Sequence, residues 1–429
     1  MMGLKRDIGM IGASMLVLNG LIGAGIFALP ARMADALGDF SPYVFLMFGA
    51  LMLTIVWCFA SLSSHFSQTG GPVLYAQQAF GNAVGFQTGW LFYLARATAI
   101  AANAHVLFLY ASYLFPEVTQ GYQDDVLIIV ICLILTLVNL IGVKRSVGFL
   151  DGLTVLKLTP LFGLVGYGLL TADVDPTITE VPQLDALGAG AILTLYALIG
   201  FETAVVTTGE TEKPKHTLPI ALMATVIATS ILYFIVQLAY INVMETWVVD
   251  GTPMIAFAQT LAGEWGALIM ALAAVFSIAA NLLANMISTS RLTFAMAQEG
   301  SLPGWFGHVS ARFSTPDNSI ITLGVFACVL SLTGGFVWLA VVSVLARLTV
   351  YAVCILALMR LRKERQWSAP RNTFMHLMWR IVPWIALLVC IGAASQSSAQ
   401  AILMLVALLV AGILLYWLNK RFTSVSHQE

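Results

Sequence analysis

The sequence predicts an all-α polytopic membrane protein. Three observations lead there: a composition too apolar to coat soluble domains, twelve apolar segments, and loop charges that alternate in sign. The chain has 429 residues, 59% hydrophobic and 10% charged. Soluble domains carry about 25% charged residues. The 20 Lys and Arg and 21 Asp and Glu are too few to cover several soluble domains. A membrane span needs about 20 apolar residues, so twelve spans leave short connections. A net charge of −1 gives no basic face for nucleic acid.

The apolar segments run over 8–36, 41–66, 84–114, 126–143, 146–171, 187–208, 217–243, 264–296, 318–334, 336–360, 379–396 and 399–418. Several exceed 25 residues, which implies tilt or a tail outside the bilayer. The first begins after Lys5 and Arg6 and runs to about Leu37. That is longer than a signal-peptide core of about 7–15 residues, so it is expected as a retained span. The five cysteines (Cys58, Cys132, Cys328, Cys354 and Cys390) all lie in apolar runs with no CxxC neighbour. They read as small apolar residues of helices rather than disulfide or metal positions.

Loop charges then set an orientation. Basic residues gather in alternate loops: Lys5 and Arg6, Lys144 and Arg145, Lys213 and Lys215, Arg312, the group from Arg360 to Arg371, then Lys420 and Arg421. The opposite loops are acidic, with Glu117, Asp124 and Asp125, then Asp173, Asp175, Glu180 and Asp185, then Glu245 and Asp250. Only Arg32 departs from this pattern. The positive-inside rule puts both termini in the cytoplasm of a multi-pass inner-membrane protein.

Three stretches are not simple spans. The first span carries Gly20, Gly23 and Gly25, then Pro30. Residues 67–85 (SQTGGPVLYAQQAFGNAVG) are too polar to cross and suit a re-entrant or interfacial piece. Residues 299–318 (EGSLPGWFGHVSARFSTPDN) alternate aromatic and polar residues and suit a cytoplasmic surface helix. The expected organisation is one transmembrane domain over 1–421 and a cytoplasmic tail over 422–429. Leu21-Ile22-Gly23 and Leu198-Ile199-Gly200 sit five spans apart, where helices would break. That is the layout of two inverted five-helix repeats, about 8–171 and 187–362, with extra helices over 379–418.

Three segments could carry chemistry. In 19–27, Gly23-Ala24-Gly25 can leave helical dihedrals cheaply and expose amides suited to a carboxylate. The same glycines also serve close helix packing, but three small residues in succession exceed what one packing face needs. In 195–202, Glu202 is a carboxylate inside an apolar span, and a break before Gly200 frees carbonyls for an ammonium. Glu202 could instead reach from a helix end toward Lys213. In the fifth span, Lys157 lies twelve residues past Arg145. That is about 18 Å into the bilayer, so the lysine either exchanges its proton or serves a structural role bonded to carbonyls. Arg96 and Arg347 also lie deep, giving three deep cations against the one acid. Either Lys157 is neutral part of the time, or a ligand supplies an anion, or the arginines simply bond carbonyls.

These residues carry a family resemblance. LNGLIGAGIFALP (18–30) resembles the first helix of amino acid–polyamine–organocation (APC) transporters. TGGPVLYAQQAFGNAVGFQTGW (69–90) resembles their loop after helix 2. LYALIGFE (195–202) with GETEKPKHTLPIAL (209–222) resembles their sixth helix and its exit, and SRLTFAMAQEGSLPGWF (290–306) the end of the eighth. The resemblance covers about residues 8–365 and implies a LeuT-like 5+5 inverted repeat with two additional C-terminal helices, making 12 transmembrane helices. It implies a substrate carboxylate on amides in Ile22, Gly23, Ala24, Gly25 and Ile26, and an amino group on carbonyls near Tyr196, Ala197 and Ile199. It makes Tyr196 a gate, Glu202 a gating or proton-sensing acid, and Lys157 a stand-in for the sodium ion of related symporters. Arg96 matches no general family feature.

The expected function is secondary transport of amino acids, proton-coupled, for neutral or apolar L-amino acids. Expected pocket residues on the third span are Ala97, Thr98, Ile100 and Ala101, with Arg96 beside them. Exchange, export and polyamine or basic amino acid antiport are the alternatives. A membrane enzyme is disfavoured because the six histidines are scattered and neither HExxH nor GxSxG occurs. A sensor lacks an output domain, and a channel lacks a repeated pore loop. Expected partners are the amino acid, protons and lipid, with no cofactor, metal or nucleic acid.

Overall fold

The computed structural model describes residues 8–68, 70–115, 123–142, 147–172, 182–206, 208–247, 249, 251–365, 367 and 372–425; side chains at 123, 147–157, 184, 189, 374 and 420–425 are outside that description. Among the described residues the fold is helical, with one isolated bridge between Ile8 and Thr211. Eight helical stretches are long and apolar enough to cross a bilayer, accompanied by four shorter apolar helices. Of the loop charges that set the expected orientation, Lys5, Arg6, Glu117, Lys144, Arg145, Asp173, Asp175, Glu180, Asp250 and Arg371 lie outside the described residues.

The first apolar segment divides into α1 (Met10–Leu21) and α2 (Gly25–Leu37). The break falls on Ile22–Ala24, where Ile22 has φ −86° and ψ 85°. Pro30 removes an amide from α2. Two other carbonyls of α2 accept side-chain donors: Phe27 from the Tyr110 hydroxyl at 2.8 Å and Pro30 from Gln237 at 3.0 Å. Away from water, such partners are what make an interrupted helix tolerable.

Next come α3 (Ser41–Ser63), the nine-residue α4 (Pro72–Phe80) and α5 (Asn82–Leu114). The polar stretch 67–85 thus holds a short helix begun by Pro72 and closed by Gly81 at φ 89°. At 1.5 Å per residue α5 is about 50 Å long, well over the bilayer core. Then follow α6 (Gln123–Ile141), α7 (Val147–Thr171), α8 (Leu184–Leu198) and the five-residue α9 (Glu202–Val206). The second break lies between α8 and α9, with Gly200 at φ 130°.

The chain continues through α10 (Pro214–Val243) and α11 (Pro253–Gln298), the latter interrupted by non-helical Ala262 and Gly263. The apolar segment from 264 is the part after that kink; the helical stretch before it gave no sequence signal. Residues 299–318 do not form the expected surface helix. They hold one 3-10 turn, Gly304–Gly307, because Pro303, three glycines and Pro316 deny a longer run. Last are α12 (Asp317–Thr333), α13 (Phe336–Glu364), α14 (Thr373–Ser395) and α15 (Ala399–Val425).

Helix α5 is the central post, with α11 and α13 packed along it, while α10 packs along α3 and α1. Its side chains are buried almost continuously from Leu91 to Ala104. The outer helices turn apolar side chains outward instead, among them Leu133 and Ile134 on α6, Leu388 on α14 and Leu403 on α15. That distribution suits hydrocarbon surroundings, where apolar exposure carries no cost.

Candidate functional site

The two breaks cross each other. A Cβ on Gly20 would stand 2.4 Å from the Gly200 carbonyl oxygen, and one on Gly200 would stand 2.2 Å from the Gly20 oxygen. Only glycine permits this approach, and Gly200 also needs it for its positive φ. Farther along, Gly25 lies against the Ala197 backbone, its Cβ position 3.3 Å from Ala197 Cα.

A small, half-open cleft lies at this crossing. The first break contributes Gly20, Leu21, Gly23, Ala24 and Gly25; the second contributes Tyr196, Ala197, Ile199 and Gly200. Helix α2 starts at Gly25, so the amides of Gly25 and Ile26 have no intrahelical acceptor, while those of Phe27 and Ala28 donate to the Ala24 carbonyl. Helix α8 ends at Leu198, so its last carbonyls have no intrahelical donor. The cleft thus receives a positive helix end and a negative one side by side. Ile22 and Ile26 are buried and do not line it, and the expected Ile22 and Gly23 amides are already taken, donating to the Leu18 and Leu21 carbonyls at 2.8 and 3.1 Å.

The remaining lining comes from Ala99 and Asn103 of α5, Asn281 and Asn285 of α11, and Arg347 of α13. Ala97 and Ile100, expected in the pocket, are buried in helix packing and do not line the cleft. The reason is helical phase: Ala99 and Asn103 are one turn apart on one face, and residues 97 and 100 lie about 200° and 100° away from Ala99. Arg96 is buried one turn before Ala99 and also stays out of the lining.

Side-chain amides join the elements. The Tyr196 hydroxyl donates to Asn103 Oδ1 at 2.7 Å, and Asn103 Nδ2 donates to Asn281 Oδ1 at 3.1 Å. Asn281 Nδ2 in turn donates to the Asn19 carbonyl at 2.6 Å, just before the first break. Asn285 donates to Asn281 Oδ1 at 2.9 Å. The chain of bonds ties both breaks to α5 and α11. None of these asparagines was singled out from sequence. Asn281 and Asn285 do leave a signal, two amides at i and i+4 within an apolar run.

Glu202 is fully buried and both its carboxylate oxygens are bonded. Oε1 pairs with Arg347 Nε at 3.1 Å. Oε2 accepts from the Gly200 amide at 3.0 Å and the Tyr351 hydroxyl at 2.9 Å. Glu202 therefore caps the second break and pairs across to α13 rather than reaching toward Lys213. Arg347 also donates through Nη1 to Ser343 Oγ at 2.6 Å. Arg96 donates to Ser288 Oγ of α11 and, at 2.7 Å, to Thr203 Oγ1 of α9, and stacks over Phe92. Its Nε is buried without a hydrogen-bond partner among the described residues. The arginines thus bond side chains rather than the carbonyls of broken helices. Lys157 falls within α7, which packs against α1, but its side chain lies outside the described residues.

Residues 8–422 match the amino acid permease family. A serine/threonine exchanger of Bacillus subtilis (strain 168) is 27% identical over 393 residues, covering 88% of this chain and 89% of the exchanger. A cadaverine/lysine antiporter of Escherichia coli (strain K12) is 27% identical over 319 residues, covering 72% of this chain and 71% of the antiporter. The chain belongs to the amino acid permease family and is a multi-pass membrane transporter.

Proposed function

We propose that this amino acid permease binds the shared α-amino and α-carboxyl groups of its substrate at the crossing of the two breaks, and that a proton drives transport. The observation that carries the site is the pairing of free helix ends at one cleft. First-turn amides around Ala24 and Gly25 suit a carboxylate, and the last carbonyls of α8, at Tyr196 and Ala197, suit an ammonium. An amino acid presents those two groups one carbon apart, matching two helix ends brought side by side. Glu202 has no spare oxygen for a substrate cation, which favours neutral amino acids over basic ones.

Lys157 is the proposed coupling group, through a protonated amine that bridges α7 to the first break in one access state. The packing of α7 against α1 supports this placement. Both termini are proposed to face the cytoplasm of the inner membrane, on the loop charges read from the sequence. Exchange remains the second reading, favoured by the two relatives whose names describe exchange and antiport.

The test is uptake into proteoliposomes with and without an imposed pH gradient, in the presence of competing amino acids or their carboxamides. Uptake should follow the gradient, and only free acids should compete. Equal competition by an acid and its amide defeats the cradle, and indifference to the gradient defeats the coupling.

A further inference from the structure

Once the breaks hold the α-amino and α-carboxyl groups, the substrate's side chain meets the walls supplied by α5, α11 and α13. Those walls are Ala99, Asn103, Asn281, Asn285 and Arg347. Only Ala99 is apolar. A subsite for a leucine-like side chain is walled by carbon, since each polar wall group covered by an apolar ligand loses its hydrogen bond to water. The polar wall argues for a polar side chain.

Its bonding shows which kind. Arg347 commits Nε to Glu202 and Nη1 to Ser343; among the described residues its Nη2 has no hydrogen-bond partner, and the residue lines the cleft. Asn103 gives one amide hydrogen to Asn281, which leaves the second, while its oxygen is taken by Tyr196. The free groups of Arg347 and Asn103 are donors, while Asn285, which bonds only through Nδ2, leaves Oδ1 as the acceptor on the α11 side of the wall. The charge has the same sense. Glu202 is consumed by Arg347, Tyr351 and Gly200, and Arg96 adds a second buried guanidinium that has no carboxylate partner among the described residues. A cationic side chain entering here meets a positive wall and no free carboxylate.

We propose that Arg347 and Asn103 form a side-chain subsite that selects amino acids whose side chain ends in an oxygen acceptor (carboxamide, hydroxyl or carboxylate) and rejects cationic side chains and diamines. The proposal rests on the reading of the breaks as the holder of the α-groups, and it narrows the substrate class within that reading. It departs from the apolar substrate expected of Ala97 and Ile100, which do not reach the cleft.

The experiment uses near-isosteric pairs on the full-length protein in proteoliposomes: asparagine against leucine, and threonine against valine, with lysine and cadaverine as cationic probes. A site built to hydrogen-bond a substrate group discriminates strongly against the analogue lacking it. Asparagine should bind at least about tenfold more tightly than leucine, and threonine more tightly than valine, with lysine and cadaverine weakest. Asn103→Leu, and Arg347→Met made together with Glu202→Gln so that no buried charge is left unpaired, should each reduce the asparagine-over-leucine ratio. Leucine equal to asparagine, or cadaverine strongest, overturns the proposal in the wild type alone, so poor folding of a variant does not shield it. A ratio unchanged in both variants overturns the assignment to these residues. Asparaginamide separates the two readings: if it competes as well as asparagine, the α-carboxylate cradle has failed. If the free acid is required but leucine matches asparagine, only the side-chain subsite has failed.

Discussion

Replacing Gly200 by alanine tests the crossing of the breaks directly. The new Cβ would lie 2.2 Å from the Gly20 oxygen and 2.5 Å from its carbonyl carbon. Both obstacles are backbone, so no side chain can swing aside. Restoring ordinary contact needs the two segments to part by about 1 Å. Overpacking of this kind costs about 1–3 kcal/mol. Holding alanine at a φ of 130° adds about 1–3 kcal/mol more, because that region is essentially glycine's alone. The sum, roughly 2–6 kcal/mol, is a large fraction of the about 5–15 kcal/mol that holds a typical domain folded. Where protein survives, a 1 Å displacement of a positioned constellation costs about 100-fold in function. The assay is melting temperature in detergent together with amino acid uptake in proteoliposomes. Gly163→Ala is the control: this α7 glycine has nothing within 4 Å of its Cβ position, so the change should be neutral or stabilising by up to about 1 kcal/mol. A Gly200→Ala protein that melts and transports like wild type refutes the crossing as described.

Glu202→Gln should cost about 3–5 kcal/mol by leaving Arg347 buried without a countercharge; adding Arg347→Met should recover part of it, and strict additivity in that cycle would show that the two do not interact. Tyr351→Phe removes one of the three donors to Glu202 and should cost about 1–3 kcal/mol, a donor to a buried charge being worth more than a neutral one; an unchanged melting temperature would exclude that bond. Lys157→Ala should abolish the response of uptake to a pH gradient while substrate binding persists, and Lys157→Arg should fail likewise because its guanidinium stays protonated; uptake by Lys157→Ala that still follows the gradient makes the lysine structural.

What the sequence made legible was whatever depends on local composition. Apolar runs marked the helices, and the dense glycines at 20–25 and at Gly200 marked where two of them stop. It also put Glu202 inside the bilayer, since a carboxylate in an apolar run is conspicuous. The partners of these groups were not legible, because they come from elsewhere in the chain: Arg347 is 145 positions from Glu202, and Asn281 is 178 from Asn103. Phase was misjudged on the third apolar segment, where the hydrophobic pattern is nearly uniform. Almost every side chain of α5 around residue 97 is buried, so no amphipathic stripe distinguished the cleft-facing Ala99 and Asn103 from Ala97 and Ile100. The helical stretch before the α11 kink escaped notice for the opposite reason, being too short to register as a span.

Helix α9 shows how these features depend on one another. Five residues make barely more than one turn, and a helix that short cannot hold itself against its nucleation cost. Its position is therefore set from outside, and its first two residues carry the fixings. Glu202 is held by Arg347 and Tyr351 of α13, and Thr203 by Arg96 of α5. The Glu202 carboxylate also holds the Gly200 amide, so the same contacts fix the strained residue that lets the two breaks cross. Arg347 is at once a clamp on α9 and part of the cleft wall. A ligand that draws on this guanidinium acts on the group that positions α9, and the two events cannot be energetically independent. The buried arginines are costly as isolated charges, but each adds a polar fixing to a short helix whose Ala204 and Val205 are packed into the apolar core.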